Sequence, residues 1–132
     1  MGAFGAGTSD NDDALDFLEV LVESDDSGTL IAALDEALAA DYLEMPEASA
    51  ALVAAEALAA KNLRPVGDLP PDLAAWVQRS RFLLTEPLLS KAIKAVSRVG
   101  SDSELNDEWS ASDAPGEWHA ALSDLKERLD AS

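Results

Sequence analysis

The sequence predicts an all-α fold, a compact single-domain bundle of six or seven helices around an Ala-rich central helix. Three observations carry this expectation. Apolar residues recur at steps of three and four along most of the 132-residue chain, and no run alternates apolar with polar long enough for a strand. Residues 47–60, EASAALVAAEALAA, are apolar at eleven of fourteen positions, on every side of a helix, as in a buried one. Clusters of Gly, Pro, Asp and Ser then separate the periodic runs.

Taken in order, residues 2–9, GAFGAGTS, are Gly-rich and uncharged. A dinucleotide loop must follow a strand, and a Walker-type loop needs a Lys, of which none occurs before Lys61. The expectation is an irregular arm pinned by Phe4. Asp10, Asn11, Asp12 and Asp13 read as a helix start, with side-chain oxygens for the free N–H groups and acids at the positive end of the dipole. The EF-hand calcium pattern fails at Ala14 and Leu15. The first helix then runs to about Ser24. Its inward stripe is Leu15, Leu18, Leu21 and Val22, with Phe17 beside it. Asp12, Asp16, Glu19 and Glu23 form one acidic ridge on the opposite face.

DDSG at 25–28 is a turn, followed by a second helix from about Thr29 to Ala40 with Leu30, Leu34 and Leu38 inward. A connector carries the single tyrosine, Tyr42, and Pro46 suits the first position of the central helix. The loop 62–71, with three prolines, is the best internal boundary, but neither side holds a core alone, so one domain over 1–132 is expected. The fourth helix is placed from Leu73 to about Leu84. The fifth opens at Pro87, buries Leu88, Leu89, Ala92, Ile93, Val96 and Val99, and stops at Gly100. Its outer Lys91, Lys94 and Arg98 are expected to pair with acids or water. Ser101 and Glu104 read as the capping box of a short helix bearing Leu105 and Trp109. The last helix sets Trp118, Ala121, Leu122, Leu125 and Leu129 on one face, with Lys126 and Arg128 near its negative end.

Composition narrows the function. There is no cysteine, hence no disulfide, thiolate metal site or cysteine nucleophile. The formal charge is −17, which disfavours nucleic acid as a ligand. Its layout is uneven. Residues 1–60 hold 14 acids and no Lys or Arg, residues 61–98 hold 7 bases and 3 acids, and residues 99–132 hold 9 acids and 2 bases. The central apolar stretch is too short to span a bilayer and contains Glu56. With no secretion-signal pattern, the expected location is cytoplasmic. His119 is the only histidine, which excludes a multi-histidine metal centre, and it reads as a surface residue. Glu56 is the carboxylate best placed to be buried, and the expectation is a structural role on an exposed line of its helix or paired with Arg or Lys.

The opening Gly2-Ala3-Phe4-Gly5 with Gly7, then Asn11-Asp12, Ala14 and Asp16-Phe17, resembles a bacterial family catalogued as domain of unknown function four-two-five-nine. The resemblance continues through the Ala-rich helix, Leu69-Pro70, and Ser103-Glu104-Leu105 with Trp109. Phe4 and Phe17 stand where tryptophan is usual, and Ser9 where phenylalanine is usual. It implies family identity and no activity.

The function expected from the residues is a non-catalytic protein-binding module, antitoxin- or immunity-like. It would present Asp12, Asp16, Glu19 and Glu23 to a basic protein, with no cofactor, metal, nucleic acid or membrane. The alternative is an enzyme or small-ligand domain using Glu56 with the carboxylates of Asp10, Asp12 and Asp13.

Overall fold

Seven α-helices occur among the residues that the computed structural model describes, namely 12–24, 28–62, 71–80, 84–111 and 115–130. They are α1 (Asp12–Glu23), α2 (Gly28–Ala39), α3 (Met45–Lys61), α4 (Pro71–Arg79), α5 (Glu86–Val99), α6 (Glu104–Ser110) and α7 (Pro115–Leu129). The architecture is an all-α bundle, as periodicity predicts. The only extended pairing among the described residues is one parallel bridge between Leu43 and Ser103. The arm at 2–9, the residues 25–27 of the first turn and the segment 63–70 lie outside the described residues.

The central helix is α3, and it packs against all of the others. Around it α4, α1, α2, α5, α7 and α6 form a belt in which each helix touches the next. Every residue of 51–59 is fully buried, together with Ala48 and Ser49. Alanine makes this possible in two ways. It is the strongest helix former, and its single methyl lets neighbouring axes come near the lower end of the usual spacing of about 8–10 Å. Larger residues would overpack most of this helix, at a typical cost of about 1–3 kcal/mol each.

The belt helices supply the bulk. Leu18, Leu21, Leu30, Leu34, Leu73, Trp76, Leu89, Val96, Trp118, Leu125 and Leu129 are buried against α3 and one another, while Phe17, Val22, Leu38, Leu88 and Ile93 pack on the edge of this core. These are the stripes expected of each helix. Leu15, Phe82, Leu83, Leu105 and Trp109 have side chains outside the described residues.

Several local expectations need correction. The fourth helix ends at Arg79 and not near Leu84. The Lys61 ammonium donates to the Ser80 carbonyl at 2.8 Å and to that of Val77 at 3.5 Å, and the buried Ser80 hydroxyl donates to the Val77 carbonyl at 3.0 Å. Those carbonyls are the acceptors a further turn would use, so the end is sealed from another helix. The short helix α6 is capped by Ser103, not Ser101. Ser103 Oγ accepts from the Asn106 N–H at 2.9 Å and donates to the Val99 carbonyl at 2.5 Å. Ser101 instead turns back to the carbonyls of Ser97 and Arg98. The reason is the bridge: Leu43 N–H donates to the Asp102 carbonyl and Glu104 N–H to the Leu43 carbonyl, which draws the chain extended just before α6.

The fifth helix starts one residue before Pro87, where Thr85 Oγ1 accepts from the Leu88 N–H at 3.3 Å. Gly100 closes it in a right-handed conformation, with φ −78°. What the glycine supplies is room. A Cβ there would lie 2.9 Å from Leu122 Cδ1 of α7.

Candidate functional site

The acidic ridge follows from helical spacing. Asp16, Glu19 and Glu23 are exposed along the outer face of α1, while Leu18 and Leu21 of the same helix are buried. Asp12 opens α1 with Asp13, but both side chains, like all of Asp10 and Asn11, lie outside the described residues. The ridge therefore stands here as three carboxylates.

Asp16, at one end of the ridge, also borders a groove, which Glu19 and Glu23 do not line. Between α1, α2 and the start of α3 lies an open depression of about 910 Å³. Its lining is mostly apolar, with Phe17, Val20, Ala32, Ala33, Ala39, Ala40, Pro46 and Ala50 beside Thr29. Asp16 of α1, Glu36 of α2 and Glu47 of α3 stand around it. Val20 is 55% exposed and lies on the α1 surface one turn from Asp16. Sequence reading missed this groove. The available signal was small: an apolar residue between Asp16 and Glu23 on a polar face, opposite alanines on the outer side of α2.

Several described cations of the basic middle third are engaged at helix ends and at Asp35. The first two helices have no basic residue in their last turns, and residues from the basic middle third serve their C-terminal carbonyls. Arg79 donates to the Val22 carbonyl, and Trp76 Nε1 donates to that of Ser24 at 3.0 Å, closing α1 from α4. Arg98 donates to the carbonyls of Leu38 at 3.3 Å and Asp41 at 3.1 Å, closing α2 from α5. Lys91 pairs with Asp35 of α2 at 2.7 Å. Lys94 is exposed. The expectation that the fifth helix's bases pair with acids or water holds for Lys91, while Arg98 lies 3.9 Å from Asp102 and also serves backbone oxygens.

Glu56 is fully buried in the middle of α3 and does not line the groove. Its carboxylate accepts from Arg128 of α7 at 2.7 and 3.4 Å. Arg128 also donates through Nε to Asp124 at 2.8 Å. Burial by itself would lower the Arg128 pKa, but the bonds and charges of Glu56 and Asp124 outweigh it and push it up. Of the two structural roles expected for Glu56, the structure has the buried pair and not the exposed line.

A second polar link ties the Leu43 connector to α6. The exposed Tyr42 hydroxyl donates to Asp107 Oδ2 at 2.5 Å. That hydrogen bond, with partial desolvation and the charges of Asp107 and Glu104, raises the Tyr42 pKa to about 12. His119 is exposed on α7, while Trp76 and Trp118 are core. Among the described residues no three His, Asp or Glu side chains gather into a metal-binding group, and no helix is long and apolar enough to cross a membrane.

Fold and surface together define, among the described residues, an all-helical bundle with an exposed line of acids on α1. The chain belongs to the family described as domain of unknown function (DUF4259), whose sequence profile matches residues 2–121. The match stops within α7, so the Glu56–Arg128 pair joins the matched part to a residue beyond it. No curated protein and no solved structure matches the chain.

Proposed function

We propose that this protein is a non-catalytic binding module that engages a basic protein through the α1 face. The carrying observation is the exposed line of Asp16, Glu19 and Glu23, set in a sixty-residue stretch with no Lys or Arg. Among the described cations of the middle third, Arg79 and Arg98 bind carbonyls at helix ends and Lys91 pairs with Asp35. An acidic surface attracts basic partners and speeds their encounter. The enzyme alternative requires Glu56 to reach a substrate, and its burial against Arg128 weighs against that role.

The test is capture of the partner from the native host, followed by association kinetics with the Asp16→Asn/Glu19→Gln double variant. The exchange removes two charges and nearly keeps shape, so stability should stay within about ±0.5 kcal/mol. Association should slow, and the wild-type rate should fall steeply with salt. An unchanged rate and unchanged salt dependence would make the ridge a solvated surface only.

A further inference from the structure

We infer that the groove between α1, α2 and α3 receives a cationic amphipathic helix, which inserts an apolar stripe against Val20 and Phe17 and sets Lys or Arg against Asp16, Glu36 and Glu47. This rests on the binding role proposed above and names the chemistry of the partner. Acids alone would make a diffuse electrostatic surface. Here Asp16, Glu36 and Glu47 border a mostly apolar groove of about 910 Å³, and Val20 in its lining is 55% exposed. That combination matches the mode in which a helix lays apolar residues spaced at i, i+3, i+4 and i+7 into a groove.

The charge layout selects among occupants. The residues around the groove are acidic and the first sixty residues contribute no cation, so a second copy of this chain, at −17, would meet like charge. Phosphate-bearing surfaces are repelled in the same way. An extended peptide adding to a sheet edge finds no strand among the described residues. A helix with basic flanks satisfies both the floor and the acids around it.

The probe is a synthetic peptide of about four helical turns built from Leu and Lys in the i, i+3, i+4, i+7 pattern. Its control has the same composition in scrambled order. Binding to the full chain is read by fluorescence anisotropy at low and physiological salt. The patterned peptide should bind at least about tenfold more tightly than the scrambled one, since burying one or two apolar side chains exceeds a tenfold factor. Val20→Asp should lose about tenfold although it adds an attractive charge. Ala32→Trp, which fills the groove from an exposed position, should do the same, and circular dichroism checks that both remain helical. Equal binding of the two peptides, or undiminished binding by both variants, would overturn the groove while leaving the acidic-ridge reading standing. Tighter peptide binding by Phe4→Ser would identify the chain's own N-terminal segment as the occupant and would also overturn the inference. If neither peptide binds at low salt, both readings fall.

Discussion

Replacing Arg128 by Met should be among the most damaging single changes to this protein. Glu56 has no exposed surface, and the Arg128 side chain is only 10% exposed, with their closest atoms 2.7 Å apart. Two unit charges about 4 Å apart attract by about 4 kcal/mol at an effective dielectric constant of 20. The substitution removes that attraction from a fully buried carboxylate, for a loss of about 3–5 kcal/mol. Set against a total stability of about 5–15 kcal/mol, this lowers the melting temperature by roughly 10–20 °C. Glu56→Gln should cost less, because Arg128 keeps Asp124 at 2.8 Å and its head can move toward water. The double variant Glu56→Leu/Arg128→Met should recover most of the loss, since replacing both charges by apolar groups removes the desolvation penalty of each. Urea unfolding followed by the fluorescence of the buried Trp76 and Trp118 measures all three at constant slope m. A loss below about 1 kcal/mol for Arg128→Met, the value of a surface ion pair, would refute the burial argument.

Tyr42 is the only tyrosine, so tyrosinate absorbance reports it alone, and its titration midpoint should be near 12 when folded and near 10 in denaturant. Its folded pKa is raised, so the stability it contributes is complete below pH 10 and lost as pH climbs toward 12, and the stability gap between wild type and Tyr42→Phe should narrow over that interval. A native midpoint near 10 would break the Tyr42–Asp107 link. Ser103→Ala should destabilise by about 0.5–2 kcal/mol in thermal unfolding, while Ser101→Ala should change little, and equal losses would contradict the cap assignment. With a formal charge of −17, the melting temperature should rise as sodium chloride goes from very low to about 0.15 M, and a flat curve in calorimetry would mean that the internal use of Lys and Arg already relieves the repulsion.

The central helix was legible in the sequence because an alanine-rich segment, apolar all round, has only one stable setting in water, the inside of a bundle. The stripes of the outer helices were legible for a related reason, since 3.6-residue periodicity is a local property that burial merely completes. The outward aim of Asp16, Glu19 and Glu23 came with those stripes, because a buried Leu18 and Leu21 leave the opposite face to solvent. What lay beyond the sequence depends on residues far apart along it. Glu56 finds its partner 72 positions away, and the carbonyls that Arg79 and Arg98 serve are 57 and 60 positions away. Local spacing offered Ser101 and Glu104 as a cap, but the pairing of Leu43 with Ser103 moved the helix start. The groove is of the same kind. Its lining comes from α1, α2, the start of α3 and the connector between them, and only their packing sets the exposed Val20 in one groove with Asp16, Glu36 and Glu47. Composition and periodicity act within a few turns of chain, whereas ion-pair partners, helix-end donors and grooves exist only once tertiary packing has brought separate segments together.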